Sequence, residues 1–222
     1  MTLVGFDTST AATSACVLRA DGEAFEHLPA PARLLEPPGH SRELLPAIED
    51  LMTRAGVGWA DVSGIAVGVG PGTFTGLRIG VATARALATA AHLPLHPVSS
   101  LAALAAGIAA PLTLPLIDAR RGEVFGALFE GGEQVVEPFV ARPEQVAERA
   151  GRELASAVAA GDGSLRFREI LETAGVRVAP DGSELHVVRA LHVCRLAAGV
   201  PAEPPEAVLP TYIRAPDAEP TQ

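Results

Sequence analysis

The chain has 222 residues, a formal net charge of −9 and a hydrophobic fraction of 48%. That length suits one large domain or two small lobes, the apolar content excludes a disordered chain, and the acidic balance argues against a surface that grips a phosphate backbone by itself. All 17 basic residues are arginine, which removes a P-loop lysine, a Schiff-base lysine and a Ser-Lys dyad; the two distant cysteines, Cys16 and Cys194, make neither a disulfide framework nor a zinc site.

Thr2 to Asp7 reads as a strand from the outset, so no leader segment is expected. Ser14 to Leu18 follows as a second strand, Asp21-Gly22 as a hairpin turn and Ala24 to Leu28 as a third strand. Pro29 to Pro38 is a proline-rich loop. His40 to Arg54 carries Leu44, Leu45, Ile48, Leu51 and Met52 at helical spacing, with Gly56 as the stop. Gly64 to Val69 is a buried strand, and a glycine-rich turn leads into a long helix from about Thr75 to Ala91. His92 and His96 are four apart, but Pro94 and Pro97 break helical geometry, so a loop with solvated histidines is expected there. Ser99 and Ser100 stand at the N-cap of an Ala/Leu helix ending near Gly107, whose Leu101 to Ala105 face reads as core.

The second half repeats the order. Leu112 to Ile117 is an apolar strand ending at Asp118, as the first strand ends at Asp7. Glu123 to Phe129 and Gln134 to Val140 flank Gly131-Gly132 as a hairpin. A helix runs from Pro143 to Ala150, a strand from Ala155 to Ala160 into Gly161-Asp162-Gly163, and helices over Leu165 to Ala174 and Val187 to Ala198. The Pro- and Glu-rich tail has one ordered piece, Ala207 to Arg214, and residues 215–222 are expected to be flexible. Three antiparallel strands feeding a parallel crossover, used twice, fit the ribonuclease-H-like unit: an α/β, actin-like fold with an N-terminal lobe over 1–108 and a smaller lobe over 109–214. Apart from the Ala-rich stretch near Val81, which carries Arg85, every long apolar run is interrupted, so a cytoplasmic protein without a membrane span is expected.

The most informative segment runs from Gly68 to Gly80. Its glycines allow a sharp turn, and the helix beyond offers free N–H groups and a positive dipole end, so Asp7, Thr8, Ser9, Gly70, Gly72 and Thr73 are candidates for a phosphate loop, or a vestige of one. The alternative is a tight turn with no ligand. In the helix, Gly76, Gly80, Ala84 and Ala88 recur every fourth residue, leaving one stripe almost bare. Either the helix packs closely on its own sheet, or a partner helix lies there. His40 is read as a cap neighbour, Asp7 as the cap of the Thr8–Ser9 turn, and Arg120 and Arg121 as partners of Glu123 or another acid.

Three segments, Asp7-Thr8-Ser9, Gly70 to Gly80 and Asp118 to Phe125, together with Gly161-Asp162-Gly163 and Pro210 to Arg214, resemble the bacterial TsaB family, also called YeaZ. The resemblance covers almost the whole chain. It implies an actin-like two-lobed fold and a part in making N6-threonylcarbamoyladenosine in tRNA, with the paralogous TsaD and the ATPase TsaE as partners. It also implies homodimers when the chain is alone; the acidic balance leaves tRNA to be held mainly by the partners, with only indirect contact here, and the sequence does not say whether a nucleotide sits at an interface of the assembled complex, the one place considered for it. TsaD-like proteins carry the same turn and helix and, after a Pro-containing link, continue with Asn-His-x-x-x-His, whose two histidines bind a metal; here Ser100 and Leu104 stand at those positions. Leu cannot ligate and Ser is a poor ligand, so no metal, no cofactor and no catalytic residue are expected. The expected role is a scaffold that activates TsaD by population shift, through an interface of Leu44, Leu45, Ile48, Gly76, Leu77, Arg78, Gly80, Val81 and Ala84. Two enzymatic alternatives remain: an actin-like ATPase or sugar kinase using Gly70 to Gly72 on phosphate and, more weakly, an M22-type metallopeptidase.

Overall fold

The structure is a computed structural model that describes residues 1–150 and 156–213. Its first sheet contains β1 (Leu3–Asp7), β2 (Ser14–Leu18), β3 (Ala24–His27), β4 (Gly64–Gly70) and β5 (Leu95–Ser99), in the order β3-β2-β1-β4-β5. The second contains β6 (Leu112–Arg120), β7 (Glu123–Glu130), β8 (Glu133–Ala141), β9 (Val158–Ala160) and β10 (Arg177–Val178), in the order β10-β9-β6-β7-β8. In each sheet the first three strands pair antiparallel and the last two join in parallel. The second order is the first one repeated, strand for strand, so the duplication inferred from element order is present in the topology.

Helices cover both faces of the first sheet. α1 (His40–Ala55) and α2 (Phe74–Ala91) lie on one face, where Leu44, Ile48, Leu51, Val81, Ala84 and Ala88 pack with Val4, Phe6, Ile65 and Val67. α3 (Ser100–Ala106) and α7 (Ala190–Ala197) pack on the other, joining Leu3, Cys16 and Ala66 of the first sheet to Ile117, Phe125 and Phe129 of the second in one apolar cluster. The short helices α4 (Val146–Ala150), α5 (Asp162–Arg166) and α6 (Arg168–Thr173) serve the second sheet. The chain end returns to the first sheet: Leu95 and Glu203 exchange backbone hydrogen bonds, and Thr211 N donates to the Val69 carbonyl at 2.7 Å.

Local chemistry explains the boundaries. Gly56 closes α1 at φ 64°, and His92 closes α2 at φ 54°, a left-handed position normally favouring glycine. The Ser99 hydroxyl accepts from Ala102 N and starts α3 as expected. The expected loop with solvated His92 and His96 is corrected: Pro94 precedes a parallel strand, β5, Pro97 lies within it, and His96 is buried with Nδ1 3.1 Å from the Val200 carbonyl, while His92 is exposed. The helix expected over 165–174 breaks at Phe167. The one expected from Val187 starts at Ala190, because Val188 is extended and its carbonyl accepts from Ser14 Oγ at 2.7 Å. Pro31–Leu35 forms a short 3-10 helix within the proline-rich loop. Ala155, Arg214 and the tail over 215–222 lie outside the described residues. Among the described residues, no helix is long and apolar enough to cross a membrane.

Gly5 faces α7 so closely that a Cβ there would overlap Cys194 Sγ. Gly5→Ala is expected to lower stability by about 1–3 kcal/mol, read as a lower denaturant midpoint. Adding Cys194→Ala should recover part of the loss; strictly additive effects in the double-mutant cycle would contradict this packing.

Candidate functional site

The candidate site is the place where β1 and β4 end and α2 and α3 begin. Asp7 is 1% exposed, and its carboxylate is saturated by the chain. Oδ1 accepts from Ser9 N at 2.8 Å and from Ser9 Oγ at 2.6 Å, and Oδ2 accepts from Ser100 Oγ at 2.7 Å. Ser100 Oγ in turn accepts from Gly70 N at 3.2 Å. Burial pushes the Asp7 carboxyl above its usual range, against the pull of the Ser100 and Ser9 hydrogen bonds and the nearby His40. Asp7 therefore does orient the Thr8–Ser9 turn. Ser100, at the position of a TsaD-type ligand, is a structural bridge, and Leu104 is buried with a methyl group 2.8 Å from where a Gly161 Cβ would stand.

The glycines of the turn are needed by the chain's own backbone. A Cβ on Gly68 would overlap Asp7 Oδ2, and one on Gly72 would overlap the Ser9 carbonyl. One on Gly70, at φ 112°, would stand 2.9 Å from both Leu77 Cδ1 and the Thr211 carbonyl. Thr73 N already donates to the Ser9 carbonyl at 2.7 Å. Thr8, Ser9 and Thr10 are all buried. Of the residues read as a possible phosphate loop, Asp7, Thr8 and Ser9 are thus buried, and Gly70, Gly72 and Thr73 lie against the chain's own backbone. Ala12, Leu34 and Val187 form a small buried apolar cluster, with Leu28 and Leu165 packed against it.

The bare stripe of α2 is likewise used within the protomer. Thr8 lies in the groove left by Gly76 and Gly80, its Oγ1 donating to the Gly76 carbonyl at 2.8 Å, and a Cβ on either glycine would strike Thr8. Leu44, Ile48, Gly76, Leu77, Gly80, Val81 and Ala84 are buried, so this part of the expected interface faces the core. Leu45 and Arg78 do face solvent. The exposed residues of α2 are Phe74, Thr75, Arg78, Ala82, Ala86, Thr89 and Ala90, with Ile79, Thr83, Arg85 and Leu87 half-buried. Arg78 stacks 3.9 Å over the Phe74 ring, which lies 5.4 Å from Tyr212. Sequence reading missed Phe74 and Tyr212. The available signal was an aromatic at the first position of a helix, where nothing in the core calls for one.

Behind the turn, His40 Nδ1 is 2.9 Å from Thr13 Oγ1, which donates to Glu43 Oε2 at 3.0 Å; Arg33 donates to Glu43 Oε1 at 2.7 Å. His40 Nε2 is buried with no hydrogen-bond partner among the described residues, 3.3 Å from where a Gly76 Cβ would stand. Burial lowers the pKa of His40, so its neutral form is favoured beside the positive end of α2.

The second half builds the equivalent corner from other side chains. Asp118 N donates to Asp162 Oδ1 at 2.9 Å, and Asp118 Oδ1 accepts from Arg120 N at 2.8 Å. Asp162 is buried, which pushes its carboxyl up to about 7, with the Asp118 charge adding to the rise. His186 Nδ1 accepts from Gly161 N at 3.1 Å and its Nε2 is 3.1 Å from the Pro180 carbonyl, which fits a neutral ring protonated on Nε2. Among the described residues, no three His, Cys, Asp or Glu side chains are grouped to hold a metal ion.

Comparison with known proteins fits this frame. The family model described as TsaD, tRNA N6-adenosine threonylcarbamoyltransferase, matches residues 37–212. The chain is 34% identical over 194 residues to the Escherichia coli tRNA threonylcarbamoyladenosine biosynthesis protein TsaB, covering 83% of this chain and 81% of that one. It is 31% identical over 214 residues to the Haemophilus influenzae protein of the same name, covering 89% and 85%. The solved structure of YeaZ from Pseudomonas aeruginosa superposes with a TM-score of 0.79 at 31% identity, covering 96% of this chain and 99% of that one. Two sheets of one repeated topology and the family match define an actin-like α/β protein of the TsaD type. Within that class, the chain belongs to the TsaB (YeaZ) family.

Ser100→Ala removes the donor to Asp7 Oδ2 and the acceptor for Gly70 N, and is expected to cost about 2–3 kcal/mol in chemical denaturation. Asp162 titrates higher in the fold than in the unfolded chain, so the stability tied to its proton is present at acid pH and lost as pH rises from about 4 to about 7. Asp162→Asn should therefore gain stability relative to wild type across that window and hold a constant difference above it, measured by urea midpoints at stepped pH. A difference independent of pH would contradict the buried titration.

Proposed function

We propose that this chain is a non-catalytic scaffold subunit of the assembly that forms N6-threonylcarbamoyladenosine in tRNA, docking on a TsaD paralogue and biasing it towards its active arrangement. The observation that carries this is the outward face of α2. It lies on the outer layer of the first half, is built of small residues and an exposed aromatic–arginine stack, and springs from a turn whose polar groups are held by the chain itself. Small residues let a second helix approach, and Phe, Tyr and Arg are the side chains that anchor interfaces. Leu45 on α1 extends the surface. The contact residues are thus Phe74, Arg78, Ala82, Ala86, Tyr212 and Leu45, a rotation away from the stripe expected from sequence.

The names of the relatives support the pathway, and the match to the TsaD family model supports a paralogous partner of similar shape. On this reading the same face pairs two copies when TsaD is absent, TsaE joins the larger assembly, nucleotide sits at an interface of the complex and not in this chain, and the partners hold most of the tRNA.

Phe74→Ala and Arg78→Glu are each expected to weaken association with the TsaD paralogue by about tenfold or more while leaving thermal stability nearly unchanged, because both side chains are exposed. Calorimetry and co-elution read the association, and reconstituted tRNA modification should fall in parallel. Full binding by the Phe74→Ala, Arg78→Glu double variant would overturn the assignment of the face.

A further inference from the structure

Several arginines of this surface each meet two carboxylates. Arg33 meets Glu36 and Glu43, Arg168 meets Glu172 and Asp181, and Arg189 meets Glu26 and Glu184. At the end of β6 the ratio reverses. Arg120 Nη1 and Arg166 Nη1 approach the same oxygen, Asp118 Oδ2, at 3.2 and 3.7 Å. Asp118 is buried, whereas both arginine side chains are about half exposed. Asp162, adjacent to Asp118, is sealed from solvent, and its carboxyl titrates near neutrality, so it supplies only part of a second negative charge.

The β6–β7 hairpin fixes where Arg120 stands: Arg121, at φ 56°, and Gly122, at φ 78°, are its two turn residues between the paired Arg120 and Glu123, and Asp118 Oδ1 accepts from Arg120 N, which lies at φ 63°. Each guanidinium has five donors in a planar fork and commits only part of that fork to Asp118. Two forks converging on one buried carboxylate leave an excess of positive charge and outward donors matched to a tetrahedral oxyanion.

We propose that Arg120 and Arg166, gathered by Asp118, bind a phosphate group of an RNA backbone passing over the second half of the molecule. The site is a local exception on an acidic chain, so it adds a contact to an RNA held mainly by partner proteins. It lies on a different half from the α2 face and does not depend on the docking assignment. An RNA phosphodiester is favoured over a free phosphate because the pair is half open on the surface and not enclosed.

The test uses the full chain labelled with nitrogen-15 at low ionic strength, titrated separately with inorganic phosphate and with a tRNA transcript, following the Arg Nε–Hε signals. Signals of Arg120 and Arg166 are expected to move saturably with both probes, and at much lower concentration with tRNA. Those of the exposed Arg42 and Arg195 should stay in place. Arg166→Ala should weaken either ligand by about tenfold. Arg120→Asn, chosen because Asn tolerates the left-handed position, should do the same and reduce the slope of log affinity against log salt for tRNA by about one. No saturable movement, or equal movement of Arg42 and Arg195, would overturn the site. Saturation by phosphate with no response to tRNA would overturn the RNA source.

Discussion

The structure turns on one buried carboxylate. Asp7 stands where β1 ends, and its two oxygens collect donors from Ser9 and from Ser100, while Ser100 also takes the amide of Gly70. A carboxylate removed from water is tolerated only when its lone pairs are met, and here they are met by Ser9 beside it and by Ser100, which also takes the Gly70 amide. The carboxylate therefore fastens the end of β1, the turn after β4 and the start of α3 to a single point. Gly68 has to lack a side chain because Asp7 lies against it, and Gly72 because Ser9 does. The direction in which α2 leaves the sheet follows from that fastening, and so does the rigidity with which its outer face is presented.

Much of the fold was legible because it rests on local chemistry. Alternating and helical apolar spacing located β1, β2, α1 and α2, and Gly56 and Ser99 marked a helix end and a helix start. What stayed hidden depended on distant parts of the chain. β5 is interrupted by proline, yet it is a strand because β4 pairs with it in parallel and Glu203 bonds to Leu95 from far along the sequence. α7 starts late because Val188 is held extended by Ser14. The same limit applies at the candidate site. A period of four in Gly76, Gly80, Ala84 and Ala88 declares a smooth face but does not say which body fills it. Thr8 fills it, using a hydroxyl that bonds to the Gly76 carbonyl. The usable outer face is marked by smaller signals, an aromatic at the head of the helix and alanines where charges are usual.

The two halves show one topology carrying two chemistries. In the first, the aspartate at the strand end is surrounded by hydroxyls and by a glycine turn folded onto it, which leaves it inert. In the second, the equivalent Asp118 is approached by guanidinium groups from β6 and α5, and its neighbour Asp162 is confined in the interior with a proton it holds to near-neutral pH. Neutral donors can satisfy a buried carboxylate without leaving charge at the surface. Two arginines cannot, because each brings a full positive charge and a rigid fork that one carboxylate does not exhaust.

That difference separates the tasks of the halves. The first half presents a helix surface of small residues whose exposed guanidinium, Arg78, is stacked on Phe74. The second concentrates positive charge at a fixed point while the rest of the molecule remains acidic, so attraction to a polyanion is confined to that point and general adhesion is suppressed. On the proposed scaffold role, a subunit beside a catalyst benefits from this division. Strong affinity for RNA over its whole surface would compete with the partner that has to position the substrate base. A single anchored contact constrains the path of the backbone and leaves the partner in control of the reacting nucleotide.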